Sequence, residues 1–288
     1  MTQQIRYNLL ALLTVGVWGI TFVSTKILLS DGLTPTWIFI TRFALAYICV
    51  LILYHKKLWS NSVKDELCMV AMGLTGGSFY FITENSALRL TFASNVSLII
   101  CTAPILTMFL NSIIYKNKVG VKAAVGSGLA ISGVAIVVLN GSLKFGLNPY
   151  GDLLTFLAAL SWASYCMLLK FMNTRYSNLM ITRKVFFYGC LSALIYSIFE
   201  PFPELSSGYV ISRVIFNLLF LSLIASFLCY IIWNKAVQVL GPNKTSNYIY
   251  FTPLITVIAS TIILNEPISC WLIIGATVII VGVYMSSK

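Results

Sequence analysis

The chain has 288 residues, of which 59% are hydrophobic and 9% are charged, whereas an ordinary soluble domain is about 45–50% apolar and about 25% charged. This composition excludes a disordered chain and argues against a soluble globular enzyme, because so few charges cannot cover so much apolar surface. The formal net charge of +11 does not by itself indicate nucleic-acid binding, which needs basic residues clustered on a soluble face.

Ten apolar runs, taken in chain order, predict ten membrane-spanning helices. Each run is close to the roughly 20 residues that a helix needs to cross about 30 Å of hydrocarbon. The runs are continuous rather than alternating, which excludes outer-membrane strands. The connectors are too short for a soluble domain, so we expect an all-α polytopic membrane protein. The predicted spans are 7–29, 35–54, 66–88, 92–115, 121–139, 150–172, 179–199, 212–237, 243–264 and 268–285.

The basic residues predict the orientation of these spans. Most of the 19 lysines and arginines fall in the connectors on the side that holds the N-terminus. Connectors rich in Lys and Arg stay on the cytoplasmic side of a membrane. We therefore expect both termini to be cytoplasmic, in a multi-pass protein of the cell inner (plasma) membrane.

The two halves of the chain repeat each other, which predicts the architecture. Trp18 aligns with Trp162 at an offset of 144 residues, and Pro104 aligns with Pro253 at an offset of 149. We place the first repeat at residues 1–144 and the second at 145–288. Each half holds five predicted spans, and because five is odd the halves cross the membrane in opposite senses. Such inverted repeats are typical of secondary transporters.

Two motifs in each half carry a family resemblance. Asn85-Ser-Ala-Leu and Asn234-Lys-Ala-Val precede the repeated prolines, and each closing helix contains G-x6-G-V. Over roughly residues 7–285 the chain resembles the EamA-type transporters of the drug/metabolite transporter (DMT) superfamily. The resemblance implies a ten-helix inner-membrane carrier whose pathway is lined by its first, third, fourth, sixth, eighth and ninth helices. It also implies a Glu thirteen residues after each proline, which is present as Glu266 but replaced by Asn117 in the first half.

Three ionisable residues fall inside predicted spans, where a charge costs at least about 2.5–3.5 kcal/mol at the bilayer centre. They are Lys26, Arg42 and Glu84. Glu84 is the candidate for proton coupling, and a structural ion pair with Arg42 or Lys26 is the alternative. For Lys26 a simpler explanation is also open, in which the side chain extends its amine to the membrane surface.

Polar and aromatic side chains at mid-depth on the pathway helices are the candidates for substrate binding. Such a lining suits amphipathic zwitterions or planar cations, and helix packing is the alternative role for each aromatic residue. The candidates are Trp18, Tyr80, Glu84, Asn85, Asn95, Trp162, Tyr165, Trp233, Asn234, Asn247 and Tyr248.

Other sequence features concern helix shape and packing. Pro104 and Pro253 lie near mid-membrane, where each is either a hinge for alternating access or a static kink. Two sets of small residues predict close helix packing, with dimerisation through the fifth and tenth helices as the alternative. These sets are Gly73 and Gly77 in the third span, and Ala124, Gly128 and Ser132 in the fifth.

Together these features predict a secondary transporter that exports amino acids or related metabolites by alternating access. The export direction follows from the resemblance. The alternatives are uptake or exchange of another metabolite, such as a nucleoside, S-adenosylmethionine or a cationic drug, and a passive channel. We expect no catalytic residues, no cofactor, no metal and no nucleic-acid partner, because P-loop, metalloprotease and serine-hydrolase motifs are absent from the sequence. The expected partners are a small-molecule substrate and the lipid bilayer, with the chain a monomer or weak homodimer.

Overall fold

The computed structural model describes residues 3–55, 58–116, 120–139, 148–198, 200, 202–203, 208–265 and 270–286. These residues form helical segments connected by short turns. The segments are α1 Gln3–Ser30, α2 Pro35–Leu53, α3 Val63–Leu90, α4 Ala93–Tyr115, α5 Val121–Leu139, α6 Pro149–Met172, α7 Asn178–Ser197, α8 Ile211–Leu240, α9 Pro242–Leu264 and α10 Cys270–Ser286. Their described ends lie within four residues of the predicted span limits. Asn117, Glu266 and the repeat boundary at residue 144 lie outside the described residues.

Eight of these helices are long and apolar enough to cross a membrane. They are α1 to α4 and α6 to α9. The remaining two, α5 and α10, are apolar and pack along each other. The all-helical class is therefore confirmed for the described part of the chain, and a crossing by all ten helices stays a prediction.

Polar residues at the predicted connectors start the helices. An N-cap side chain accepts a hydrogen bond from one of the first backbone N–H groups, which have no partner within the helix. Ser62 accepts from Asp65 N at 3.2 Å to begin α3. Asn148 accepts from the backbone N–H groups of Tyr150 and Gly151, both at 3.2 Å, to begin α6. The helix limits thus follow from local chemistry as well as from hydrophobicity.

Two helices at equivalent repeat positions are interrupted by wide, π-helical turns. These turns span Leu74–Ser78 in α3 and Phe220–Leu228 in α8. The first contains Gly77, whose backbone is non-helical at φ −128° and ψ −108°. Wide turns of this kind leave backbone carbonyls without their usual partners and often lie at functional sites.

The two helices that carry the repeated prolines are also interrupted. In α4 the helix breaks at Cys101 and Thr102 and starts again just before Pro104. In α9 a 3-10 segment, Asn247–Phe251, precedes the segment that holds Pro253. Because each proline stands in the first turn of a new segment, its missing N–H costs little. The four discontinuous helices therefore form two repeat-related pairs.

Equivalent helices of the two repeats run in opposite directions. Along α5 and α10, a Cβ atom added to Gly126 would lie 2.4 Å from Ser286 N, and one added to Gly133 would lie 2.8 Å from Ile279 N. The residue numbers rise on one helix as they fall on the other, so the pair is antiparallel. The α2 and α7 helices show the same order. The structure thus has the inverted arrangement that an odd number of spans per repeat predicts.

The remaining helix contacts obey the same two-fold relation. Helix α1 packs against α8 and α9, and its repeat counterpart α6 packs against α3 and α4. Contacts between α2 and α8 are matched by contacts between α7 and α3. Because each of these contacts joins one repeat to the other, the halves are interlocked around α1 and α6.

Close helix packing is confirmed for one of the two predicted small-residue sets. Gly73 lies against Tyr188 of α7, where an added Cβ would come within 2.6 Å of the Tyr188 Cβ. For α5 the prediction chose the wrong face of the helix. Ala124, Gly128 and Ser132 are exposed, because the adjacent face of α5 packs on α10.

Candidate functional site

A small cavity lies where the two repeats meet in the middle of the bundle. Its volume is about 30 Å³, which suffices for one or two water molecules. Its walls come from α1, α2, α3, α4, α6, α8 and α9. The lining residues are Trp18, Thr21, Phe22, Arg42, Tyr80, Phe81, Glu84, Ile100, Trp162, Tyr230, Ile249 and Thr252.

Residues from equivalent positions in the two repeats line the cavity. Phe81 and Tyr230 are separated by 149 residues, as are Ile100 and Ile249. Both pairs line the cavity, as do the repeat counterparts Trp18 and Trp162. Substrate sites of inverted-repeat transporters lie at such an interface, near the discontinuous helices.

Two opposite charges face this cavity. Arg42 and Glu84 are 2% and 5% exposed, and their charges interact electrostatically. The Arg42 Nε donates a hydrogen bond to Ser226 Oγ at 2.5 Å, and its guanidinium lies 4.4 Å from the centroid of the Phe81 ring. These contacts hold the Arg42 side chain to α8 and α3.

The Glu84 carboxylate has a buried oxygen without a protein partner in the described part of the chain. Tyr80, one helical turn before Glu84, lines the same cavity. The Oε2 atom has no hydrogen-bond partner among the described residues. A buried carboxylate oxygen in this state is costly, and a proton or a cationic group of a ligand would relieve the cost.

An aromatic cluster forms the other walls. The Trp18 ring centroid lies 5.2 Å from that of Trp162 in an edge-to-face arrangement and 4.9 Å from that of Trp233. Tyr80 and Tyr230 approach the Trp162 ring at 5.2 and 5.9 Å. These rings offer both π faces and polar edges to a ligand. The Trp162 Nε1–H has no acceptor among the described residues.

The aromatic cluster is tied to the wide turns of α3 and α8. Trp18 Nε1 donates to the Ala225 carbonyl at 2.9 Å, and the Tyr230 hydroxyl donates to the Gly76 carbonyl at 2.6 Å. Ser161 Oγ donates to the Thr75 carbonyl at 2.8 Å. Side chains of α1, α6 and α8 thus donate hydrogen bonds to the carbonyls that the wide turns free. These hydrogen bonds connect the helix interruptions to the cavity walls.

Some predicted site residues lie beside the cavity rather than on its surface. Trp233 packs behind Trp18 and Trp162. The Tyr165 hydroxyl donates to Asn234 Oδ1 at 2.7 Å, and Asn234 Nδ2 donates in turn to Thr182 Oγ1 at 2.9 Å. This buried network supports the Trp233 side of the cluster.

Other predicted residues are placed elsewhere. The Asn85 amide donates to the Pro35 carbonyl at 3.0 Å, and the Asn95 amide donates to Thr91 Oγ1 at 3.3 Å. Asn247 and Tyr248 are half-buried in the 3-10 segment of α9.

Lys26 is placed at the end of α3 rather than beside Glu84. Its amine donates to the Thr91 carbonyl and, at 3.4 Å, to the Leu88 carbonyl. A cation is favourable at the C-terminus of a helix, where carbonyls lack partners. Of the two cations predicted to pair with Glu84, the structure therefore brings only Arg42 to the cavity.

Sequence reasoning missed several lining residues. They are Thr21, Phe22, Phe81, Ile100, Tyr230, Ile249 and Thr252. The repeat offset of 149 was the available signal for Phe81 with Tyr230 and for Ile100 with Ile249.

Comparison with known proteins agrees with this geometry. The sequence profile of the EamA-like transporter family matches residues 5–139 and 149–288. The chain belongs to the EamA-like transporter family. This EamA-like chain is 28% identical to an uncharacterized transporter of Archaeoglobus fulgidus, over 97% of the chain and 96% of that relative. It is 27% identical to the uncharacterized transporter YyaM of Bacillus subtilis, over 90% of the chain and 85% of that relative.

A solved structure supports the fold. It is titled "Crystal structure of protein" and shares 16% sequence identity with this EamA-like chain. It superposes with a TM-score of 0.73 over 98% of the chain and 96% of the solved chain. The EamA-like chain is therefore a multi-pass membrane transporter of the DMT superfamily, and its relatives are named as transporters rather than enzymes.

Proposed function

We propose that this chain is a secondary carrier that binds an amphipathic zwitterion, an amino acid or a related metabolite, in the cavity between its inverted repeats. The supporting observation is the pair of opposite, buried charges on one aromatic-walled cavity. Arg42 and Glu84 interact across this space, whereas the Arg42 Nε donates its hydrogen bond to Ser226. A molecule with an anionic and a cationic group would match both charges at once.

The expected contacts follow from the polarity of each group. The substrate carboxylate accepts hydrogen bonds from Arg42 and from the Trp162 Nε1–H, because a charged acceptor strengthens such bonds. Its ammonium group binds Glu84 and lies against the π faces of Trp18 and Tyr80. An apolar side chain of the substrate fills the space between the rings. A cation without a carboxylate would meet Arg42 unfavourably, which is why we favour a zwitterion over a cationic drug.

The cavity has to expand to admit such a molecule. Ligand cavities are usually about 300–1,000 Å³, whereas this one is about 30 Å³. We therefore infer that the described conformation leaves no room for a substrate at this site and that the carrier opens toward one side at a time. The breaks in α3, α4, α8 and α9 border the cavity and are the places where the helices can bend.

The hinge proposal for the repeated prolines is testable. Pro104→Ala and Pro253→Ala are each expected to slow transport while leaving expression normal, because each change allows the helix to continue through the break. Transport rates in liposomes and the amount of purified protein are the measurements. Pro149→Ala, at the exposed first turn of α6, is the matched control. Unchanged rates in both Pro104→Ala and Pro253→Ala would contradict the hinge role.

Tryptophan fluorescence offers a direct test of the substrate class, since Trp18, Trp162 and Trp233 cluster at the cavity. Purified protein is titrated with L-phenylalanine, with phenethylamine, which lacks the carboxylate, and with 3-phenylpropionate, which lacks the amine. We expect a saturable change in tryptophan fluorescence with the zwitterion. Its binding should be at least about tenfold tighter than that of either analogue, since each lost charged hydrogen bond costs about 1.5–3 kcal/mol. Arg42→Gln should abolish the discrimination against phenethylamine. Tighter binding of phenethylamine than of phenylalanine would contradict the proposal and favour a cation carrier.

Membrane, direction and coupling complete the proposal. We place the chain in the cell inner membrane with both termini cytoplasmic, supported by the basic connectors. We propose that transport is outward and that Glu84 exchanges a proton for the substrate amine. Cells fed a phenylalanine-containing dipeptide should release the amino acid faster when they express the chain. Equal release with and without the chain would contradict export.

A further inference from the structure

Among the described residues three ion pairs join the first repeat to the second, and two of them lie at opposite ends of the bundle in repeat-related places. At one end, Arg213 of α8 donates to both carboxylate oxygens of Asp31, which follows α1, with Nε 2.9 Å from Oδ2. At the other end, Arg175, which follows α6, donates to Asp65 of α3 at 2.8 Å. Neither pair belongs to the cavity. We call them the outer latch and the inner latch, after the predicted orientation.

The latches occupy equivalent places in the repeats. Asp31 and Arg175 are 144 residues apart, the same offset that relates Trp18 to Trp162. Arg213 corresponds at an offset of 149 to Lys64, the neighbour of Asp65. The positions of acid and base are swapped between the two latches. In the outer latch the acid follows α1, whereas in the inner latch the acid belongs to α3. In an inverted repeat, equivalent positions lie on opposite sides of the membrane.

Their burial is also alike. The Asp31 and Asp65 side chains are 3% and 9% exposed, while the Arg213 and Arg175 side chains are 42% and 48% exposed. Each carboxylate is thus held inside the end of the bundle, and each guanidinium covers it from the water side. Breaking either pair would leave a shielded carboxylate without its charged partner, which is costly until water reaches it.

The inner end has further ties, among them an ion pair between Lys184 of α7 and Glu66, the neighbour of Asp65. The Tyr176 hydroxyl donates to Asp65 Oδ2 at 2.7 Å and accepts from Asn61 N at 2.8 Å. The equivalent position at the other end is Gly32, which has no side chain to make such a bond. The inner end is therefore held by more contacts than the outer end.

We propose that the two ion pairs act as alternating latches, each closing one end of the pathway by tying α1 to α8 or α6 to α3. This rests on the proposed carrier function. In the described conformation both latches are formed, which agrees with the small volume of the cavity. Opening to either side requires the latch on that side to break while the other holds. The pairs thereby set the balance between outward-open and inward-open conformations.

Accessibility of a cavity cysteine tests this without any substrate. In a chain whose seven native cysteines are replaced, Ile100→Cys reports on the cavity, and Ile249→Cys is a second reporter from the other repeat. An impermeant, charged thiol reagent is added to intact cells or to inside-out vesicles. We expect Asp31→Asn to raise the labelling rate from the outside about fivefold and Asp65→Asn to raise it from the cytoplasmic side about fivefold, in the range of a partly exposed ion pair.

Three further variants make the result specific. Asp31→Arg combined with Arg213→Asp restores the pair with reversed charges and should return outside labelling toward the parent rate. Tyr176→Phe should raise labelling from the cytoplasmic side alone. Lys235→Ala removes a contact within α8, to Gln238 at 2.6 Å, and should change neither rate.

The contrary outcomes are equally distinct. Unchanged labelling, equal increases on both sides, or increases on the side opposite to the broken pair would each overturn the latch proposal. The labelling result stands apart from substrate identity, so a failure to bind zwitterions would leave it intact.

Discussion

Glu84→Gln is expected to abolish transport driven by a pH gradient and to lower the stability of the protein. The substitution removes the proton-binding group and leaves Arg42, which is 2% exposed, without its opposite charge. A buried charge that loses its opposite charge destabilises the folded protein, because burial leaves it without compensation from water. Thermal unfolding in detergent measures the stability, and pH-jump uptake in liposomes measures the coupling.

A double variant separates the two effects. Arg42→Gln combined with Glu84→Gln removes both charges, so its melting temperature should recover toward that of the parent protein. Its substrate binding should stay lost, because both recognition groups are gone. Glu84→Gln protein that still transports in response to a pH gradient would remove Glu84 as the coupling residue. A double variant as unstable as the single one would show that the two charges do not stabilise each other.

Gly126→Ala is expected to lower the melting temperature by roughly 5 °C or more, by the usual cost of overpacking. The added Cβ would lie 2.4 Å from Ser286 N and 2.6 Å from the Gly282 carbonyl oxygen. Both are backbone atoms of α10, so the conflict is relieved only if the two helices move apart. Because α5 and α10 pack along each other, this movement would loosen the closing helices of both repeats.

Gly128→Ala is the matched control on the same helix. No heavy atom lies within 4 Å of the position that its Cβ would occupy, and Ala is favoured over Gly in a helix by about 1 kcal/mol. The control should therefore leave the melting temperature unchanged or raise it slightly. Equal losses in the two variants would contradict the antiparallel packing of α5 on α10.

The fold was largely predictable because hydrophobic length and repeat symmetry are properties of the sequence itself. Span limits followed from the runs, and the inverted relation followed from an odd number of spans in each half. The face that α5 uses was not predictable from its small residues. Gly126 and Gly128 are both small, and only the position of α10 decides which of them is buried.

The site was predicted in part. Trp18, Tyr80, Glu84 and Trp162 line the cavity, because aromatic and charged residues inside a span stand out. Ile100 and Thr252 could not be singled out by composition, since apolar residues fill every span and threonines occur in most of them. The wide turns of α3 and α8 are tertiary features. Their carbonyls are satisfied by Trp18 and Tyr230 from other segments, which no local pattern encodes.

Counterflow in liposomes is the most direct measurement of carrier function at this site. Liposomes that contain purified protein and unlabelled L-phenylalanine are diluted into a trace of the labelled compound. A carrier should accumulate the label transiently above its equilibrium level, with saturable kinetics, because internal substrate occupies the site on the return step. We expect this overshoot with the parent protein and none with Arg42→Gln. Monotonic, unsaturable entry that is the same in both proteins would contradict a carrier and indicate a passive channel.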